Sequence, residues 1–341
     1  MSVVISTFSE ALADAKKRAA KISLLLGNGF SQAFSGDFAY RRLRDVAQMD
    51  DKLTVTQDAL FEHAASDDFE TVIHHLEQSA RLIQLYDPAD TRLAAALVDD
   101  AQVVKDGLVE TLTRIHPESA RTVDDAKYVA VRRFLSSFAN IFTVNYDLLL
   151  YWAINQDQPE PPVVKADGFR RPEGVLTWRY PDHDDDQAVF FLHGAMHLYT
   201  SDDEVRKLGV AGGSNIVEQL RANLDDGRYP LVVTEGDRQD KEARIGQNSY
   251  LTYGYRRLTR LNGALFIHGV AFSDNDQHIL DAIADPLGTI SALYVGLYGP
   301  PSASSKRVQL AAEELVEACS AKAEHPPKLT FYDSETASVW G

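Results

Sequence analysis

Four short stretches of this chain combine residue types that can do chemistry. His193 follows the apolar run Ala188–Leu192 and precedes Gly194. An imidazole at the end of a strand suits proton transfer near neutral pH. Asn145 and Asp147 stand in Thr143-Val144-Asn145-Tyr146-Asp147, again directly after an apolar run. An amide and a carboxylate there could bind a sugar hydroxyl and a carboxamide, or could simply cap the next helix. The turn Gly27-Asn28-Gly29-Phe30-Ser31 has glycines that allow close approach to an anion, with the N–H groups of a following helix facing it. The third glycine of the dinucleotide fingerprint is missing, since position 32 is glutamine, and such a pair also serves as plain turn punctuation. In Ile267 to Leu280, Gly269 starts a turn, Ser273 or Asp274 could meet ribose hydroxyls, and Asn275 or Asp276 could cap a helix.

Metal chemistry has less support, and no metal is expected. His193 and His197 are four apart, but the glutamate of a helical metal motif is absent and Gly194 disfavours helix. His74 and His75 are adjacent on a helical pattern and diverge, as surface or partly packed residues. Asp182, Asp184, Asp185 and Asp186 around His183 could hold a divalent cation or form a solvated loop. The single cysteine, Cys319, cannot form an internal disulfide or a cysteine zinc cluster, and reads as a small buried hydrophobe.

These residues need a scaffold, and composition allows one. The chain has 341 residues, 45% hydrophobic and 25% charged, enough for one large α/β domain or a core with an insertion. Its 34 basic against 50 acidic residues give a net charge of −16, which disfavours nucleic acid and anionic membranes. Arg41, Arg42 and Arg44 form the one compact basic patch near a motif. The N-terminus lacks a signal-peptide pattern, and no apolar run approaches the roughly 18 residues of a membrane span. The expectation is a cytoplasmic protein whose partner is a small molecule or another protein.

A capping box, Thr7-x-x-Glu10, opens a helix over 7–20, and Ile22–Leu26 reads as a strand buried on both faces. From about Asp45 to Ala139 the pattern is helical, with helices over 67–83, 91–114 and 124–138. Strands are predicted at 140–144, 188–192, 230–233, 264–267, 291–295 and 328–332, with helices over 238–261, 275–284 and 303–322. Residues 155–187 read as a polar connection with prolines at 159, 161, 162 and 172. Strands alternating with helices predict an α/β fold with a doubly wound, Rossmann-like parallel sheet. Its core spans 1–44 and 140–341, with a helical insertion or cap over 45–139.

In this order the four motifs resemble the sirtuin superfamily, particularly its bacterial sirtuin-like branch. Sirtuins carry G-A-G-x-S, T-Q-N-x-D, H-G and a later glycine-serine turn. Here these read Gly27 to Ser31, Thr143 to Asp147, His193-Gly194, and Gly269 to Ser273. Asp68-Phe69-Glu70, and the stretch 230–250 with Glu235-Gly236, Lys241 and Tyr250, look like segments of uncharacterised sirtuin-like families. The resemblance implies NAD as ligand or substrate. Residues 27–31 would hold the pyrophosphate, Asn145 the nicotinamide ribose or attacking water, and Asp147 the carboxamide, with His193 as base on a ribose hydroxyl. Two departures weaken protein deacylation or ADP-ribosylation: one cysteine cannot build the four-cysteine zinc ribbon, and G-I-P-D-F-R is reduced to Gly36-Asp37-Phe38-Ala39-Tyr40-Arg41. What the resemblance leaves is an NAD glycohydrolase, in bacteria often an antiphage effector, with a homo-oligomer or a defence-system protein as partner. The alternative is a sensor that binds NAD or ADP-ribose without turnover.

Overall fold

The computed structural model describes residues 4–89, 91–155, 163, 166–171, 174–183, 187–209, 215–234, 238–285, 287–321 and 326–341. Prolines 159, 161, 162 and 172, Asp184 to Asp186, and Glu235-Gly236 lie outside them.

Seven parallel strands form the central sheet: β1 (Ile5–Thr7), β2 (Ile22–Leu26), β3 (Asn140–Thr143), β4 (Val189–Phe191), β5 (Asn262–His268), β6 (Thr289–Leu297) and β7 (Lys328–Asp333). They pair in the order β1-β7-β6-β5-β2-β3-β4, the doubly wound topology expected from the alternating pattern. From β2 the chain builds outward through β3 to β4. It then returns to the other side of β2 and builds outward again through β5, β6 and β7. The reversal puts a topological switch point between β2 and β5, where open sheets of this type place a ligand crevice at the carboxyl ends.

In β2, Leu24, Leu25 and Leu26 are each 0% exposed. Successive strand residues point to opposite faces, so both faces are covered. The helix Phe8–Arg18 starts at Thr7 with the capping box formed in both directions, and buries Phe8, Ala11 and Ala15. Phe8 rests against Phe134, Phe266 and Tyr332, joining the ends of the chain to the sheet.

Between β2 and β3 lie the helices Tyr40–Val46, Gln57–Ala64, Phe69–Tyr86, Thr91–Ile115 and Asp125–Leu135. The apolar spacing expected at 67–83 is realised, with Phe69, Val72, Ile73, Leu76 and Ala80 buried. Among the described residues no helix is long and apolar enough to cross a membrane.

Three expectations are corrected. The run 230–233 adds no strand to the central sheet: its two-residue strand, Leu231–Val232, pairs antiparallel with Gly194–Ala195 in a sheet of two. The helix expected over 238–261 is two, Arg238–Gly246 and Ser249–Thr259, because Asn248 caps the second by accepting from the N–H groups of Tyr250 and Leu251. The connection 155–187 is not purely irregular, since Phe169–Arg170 and Thr177–Trp178 join Leu198–Ser201 and Glu204–Lys207 in a four-stranded antiparallel sheet.

Candidate functional site

The site is built at the carboxyl ends of β2, β3, β4 and β5. The glycine turn follows β2, and its neighbour is the turn after β5. Gly27 N–H donates to His268 O at 3.0 Å, and Gly29 N–H to Gly269 O at 2.9 Å. A Cβ on Gly27 would lie 2.6 Å from Gly269 O, and one on Gly29 would lie 2.6 Å from Gly269 Cα. Gly269 has φ +69°, a conformation glycine adopts without penalty. These glycines are therefore required by backbone against backbone, a reason the sequence did not disclose. Phe30 and Ser31 N–H donate within the turn, to Gly27 O and Asn28 O. Of the expected free N–H groups, only that of Asn28 has no acceptor among the described residues. Phe30 is buried, and its carbonyl accepts from Trp340 Nε1 at 2.9 Å.

The motif after β3 locks onto this turn. Asn145 Nδ2 donates to Gly27 O at 3.0 Å and to Ser31 Oγ at 2.9 Å. Both amide hydrogens are thereby used, and Oδ1 is left as the group able to accept from a ligand hydroxyl or water. Ser31 Oγ donates to Asp147, whose other oxygen accepts from Leu149 N–H at 2.8 Å. Asp147 thus takes the capping role open to it from sequence, while Asn145 does not.

His193, after β4, is 1% exposed. Its Nε2 lies 2.8 Å from Nε2 of His278, in the helix Gln277–Ile283 that follows β5. Burial holds His193 well below the ordinary imidazole range, helped by the charge of Lys241 and by His278. His278 is pushed down to about 4, again mainly by burial, with Lys241 adding to it. Both rings are neutral at pH 7.

Lys241, 0% exposed, is the centre of a buried ionic network. Its Nζ donates to Glu70 Oε2 at 2.6 Å and Asp276 Oδ1 at 3.3 Å. Burial opposes its charge, but the two carboxylates more than offset this and raise its pKa. Burial raises Glu70 to about 7 against the pull of Lys241, with Asp68 and Asp276 adding to the rise. Tyr146 donates to Glu70, and its hydroxyl also lies 2.8 Å from Val233 O. Tyr40 is 36% exposed overall. Its hydroxyl is nevertheless pushed well up, by burial first and then by Asp68, Glu70 and Asp276. Asn275 Nδ2 completes the ring by donating to Asp68 Oδ2 at 3.1 Å.

The ligand atoms of His193, Asp276 and His278 lie within 4.8 Å of one another, which invites a cation. The geometry fits an N–H···N bond better. The ring centroids are 5.0 Å apart with planes at 20°. That separation is close to the N···N distance plus two ring radii, which is its upper limit, so the rings meet head-on. Metal ligands instead converge on one point with tetrahedral or wider spacing. Lys241 beside Asp276 also opposes a second cation.

The remaining expected residues are spread out. Ser273 is half-buried, with Oγ 3.4 Å from Asp276 Oδ2, and Asp274 is exposed. The capping role expected of Asn275 or Asp276 is not realised, since neither caps the helix by its side chain and both reach elsewhere in the network. His197 lies fully buried against Tyr151, ring centroids 4.2 Å apart, and is not near a metal pair with His193. The basic patch is largely neutralised: Arg44 pairs with Asp58 and Asp67, and Arg42 with Asp45. His74 and His75 are half-buried as expected, whereas Cys319 is only half-buried. His183 and Asp182 are exposed. Sequence reasoning missed the Glu70–Lys241–Asp276 network and the His193–His278 pair. Lys241 and Glu70 stood in segments singled out by resemblance, but nothing local paired them.

Two cavities, of about 430 and 390 Å³, open at the opposite end of the sheet. The first is lined by Lys16, Ile22 and 136–139, the second by Lys21, Asn140, Arg257, Arg260 and Asn262.

A doubly wound parallel sheet with interlocked glycine turns at its switch point defines a Rossmann-like α/β protein. The chain belongs to the family described as "Domain of unknown function (DUF4917)", whose model matches residues 24–340. Among solved structures it is similar to one described as "Crystal structure of a Sir2 homolog-NAD complex". Identity is 14%, covering 94% of this chain and 97% of that one, with a TM-score of 0.36. No curated protein matches it in sequence.

Proposed function

We propose that this protein binds NAD across the switch point and hydrolyses it to nicotinamide and ADP-ribose. The observation carrying this reading is the interlock of Asn145 with Gly27 and Ser31. It brings two of the four sirtuin-like motifs into one hydrogen-bonded unit and leaves Asn145 Oδ1 aimed by its own spent donors. Asn145 Oδ1 would hold the nicotinamide ribose or the attacking water. His193 would accept a proton from a ribose hydroxyl as the bond to nicotinamide breaks, and return it once water has added. Gly27 to Ser31, with the Asn28 amide, would face the pyrophosphate, Asp147 the carboxamide, and Gly269, Ser273 and Asp274 the ribose side.

Cleavage breaks the bond between the ribose anomeric carbon and nicotinamide, whose nitrogen keeps the electron pair. Water bonds to that carbon and its second proton leaves to solvent. The transition state is oxocarbenium-like, as in other glycosyl transfers. No metal is needed for these steps. The helices over 45–139 would act as the cap on a core of 1–44 and 140–341. The reading fits a cytoplasmic enzyme that depletes NAD, as a defence effector would.

A second reading is an NAD or ADP-ribose sensor without turnover. It is favoured by one observation: His193 is buried and its Nε2 already has a partner. Calorimetry with NAD, run beside chromatographic detection of nicotinamide, separates the two. Binding with release supports hydrolysis, binding without release in both wild type and a His278→Ala variant supports the sensor, and no binding in either overturns both.

A further inference from the structure

Resting on His193 as the base of that reaction, we infer that His278 is a stopper on it. In the form described, the His278 ring occupies the place from which a ribose hydroxyl would approach His193 Nε2. The helix Gln277–Ile283 must therefore move for NAD to be turned over.

The head-on N···N contact of 2.8 Å requires one ring to donate and the other to accept. His278 Nδ1 is buried and without a partner among the described residues. An orphaned buried N–H is rarer than an unsatisfied acceptor. The proton therefore sits on His278 Nε2, and the His193 Nε2 lone pair is the one consumed. A relay through His278 is excluded by the same atom, because a proton passed to this ring has no onward acceptor at Nδ1. A base whose lone pair is covered cannot also accept from substrate.

The stopper is latched from the helical segment before β3. Asp276, two residues ahead of His278, is held by Lys241, which Glu70 of the helix Phe69–Tyr86 also holds. Asn275 reaches Asp68 at the start of that helix. Tyr255 Oη donates to His278 O at 3.0 Å from the other side. Displacing the helix Phe69–Tyr86 would loosen both ties to the 274–276 turn at once. The cap would then control the base without touching it.

The test compares wild type, His278→Ala and Asn275→Ala, the last of which loosens the latch and keeps both imidazoles. Two readouts are taken after circular dichroism confirms native folding. One is carbethoxylation of His193 by diethyl pyrocarbonate, mapped by mass spectrometry; the other is nicotinamide release from NAD. His193 should be protected in wild type and modified at least tenfold faster in His278→Ala, with a smaller gain in Asn275→Ala. NAD should protect it again in His278→Ala, and release there should exceed wild type at least tenfold. Equal His193 reactivity in wild type and His278→Ala overturns the stopper, as does release that falls when His278 is removed. Exposure of His193, protected by NAD but without release, upholds the stopper and defeats the hydrolysis reading. If His278→Ala does not fold, Asn275→Ala decides on the same criteria.

Discussion

The side-chain amide of Asn145 donates to the main-chain oxygen of Gly27 at 3.0 Å, tying the loop after β3 to the turn after β2. Replacing it by aspartate keeps the shape and turns a double donor into an acceptor facing Gly27 O and Ser31 Oγ. Asn145→Asp should destabilise the fold by about 1–3 kcal/mol, the cost of unpairing buried polar groups. Urea unfolding checks this. An unchanged midpoint would show that the interlock is not a structural tie.

Gly27→Ala should be worse than an ordinary turn substitution. Its Cβ would lie 2.6 Å from Gly269 O and 2.7 Å from Val270 Cα, both backbone atoms that cannot rotate away. The turns after β2 and β5 must then separate, at the switch point itself. The expected result is a loss of roughly 2–4 kcal/mol, in the range of severe overpacking. Thermal melts of Gly27→Ala beside the exposed control Gly36→Ala, whose Cβ would meet nothing within 4 Å, make the comparison.

Lys241→Met should cost about 3–5 kcal/mol, because it leaves the buried Glu70 and the half-buried Asp276 without their cation. Glu70→Gln should cost less, since the remaining Asp276 still balances Lys241 and burial already favours the neutral form of Glu70. A reversal of this order in denaturant midpoints would show that Lys241 is not the centre of the network.

Acid should destabilise the protein through its buried imidazoles. His116, His193, His197, His268 and His278 all have pKa values held below 6.5, in each case with burial as the largest cause. In the unfolded chain they bind protons below about pH 6.5, while the folded chain resists until lower pH. Their stability contribution is therefore complete above pH 6.5 and is lost as pH falls towards about 4, where His268 and His278 titrate in the fold. At about 1.4 kcal/mol per pH unit, His268 and His278 each lose up to roughly 2 kcal/mol by pH 5, and the other three act in the same direction. Glu70 works the other way. Its folded value of about 7 lies above the unfolded 4.5, so its share of stability is lost as pH rises through that window. Asp68 and Asp106, also raised by burial, act in the same sense as Glu70. The five imidazoles outweigh these three carboxyls, and the urea midpoint should fall steadily from pH 7 to pH 5. A flat profile would contradict the burial of these rings as neutral species.

Local features were legible in the sequence, and distant pairings were not. Ile22–Leu26 was readable because an unbroken apolar run between a helix and a glycine turn has few other uses. The switch-point turns were readable for the same reason. Leu231–Val232 misled because a run this short does not tell a strand of the central sheet from one that pairs only with Gly194–Ala195. The two-residue strands at 169–170 and 177–178 carry too little periodicity to be seen at all. Asn145 and His193 stood out by their places after apolar runs. Glu70 and Lys241 are 171 residues apart, and His193 and His278 are 85 apart. Only the folded sheet edge brings them together, so spacing held no trace of either contact.

Hydrolysis of NAD at this site is measured by the rate at which nicotinamide and ADP-ribose appear together, in His278→Ala and in the same protein carrying Asn145→Ala as well. Hydrolysis held by Asn145 predicts equal amounts of the two products from the first and at least a hundredfold less from the second. Absence of both products from the folded His278→Ala protein, or release undiminished by Asn145→Ala, would contradict it.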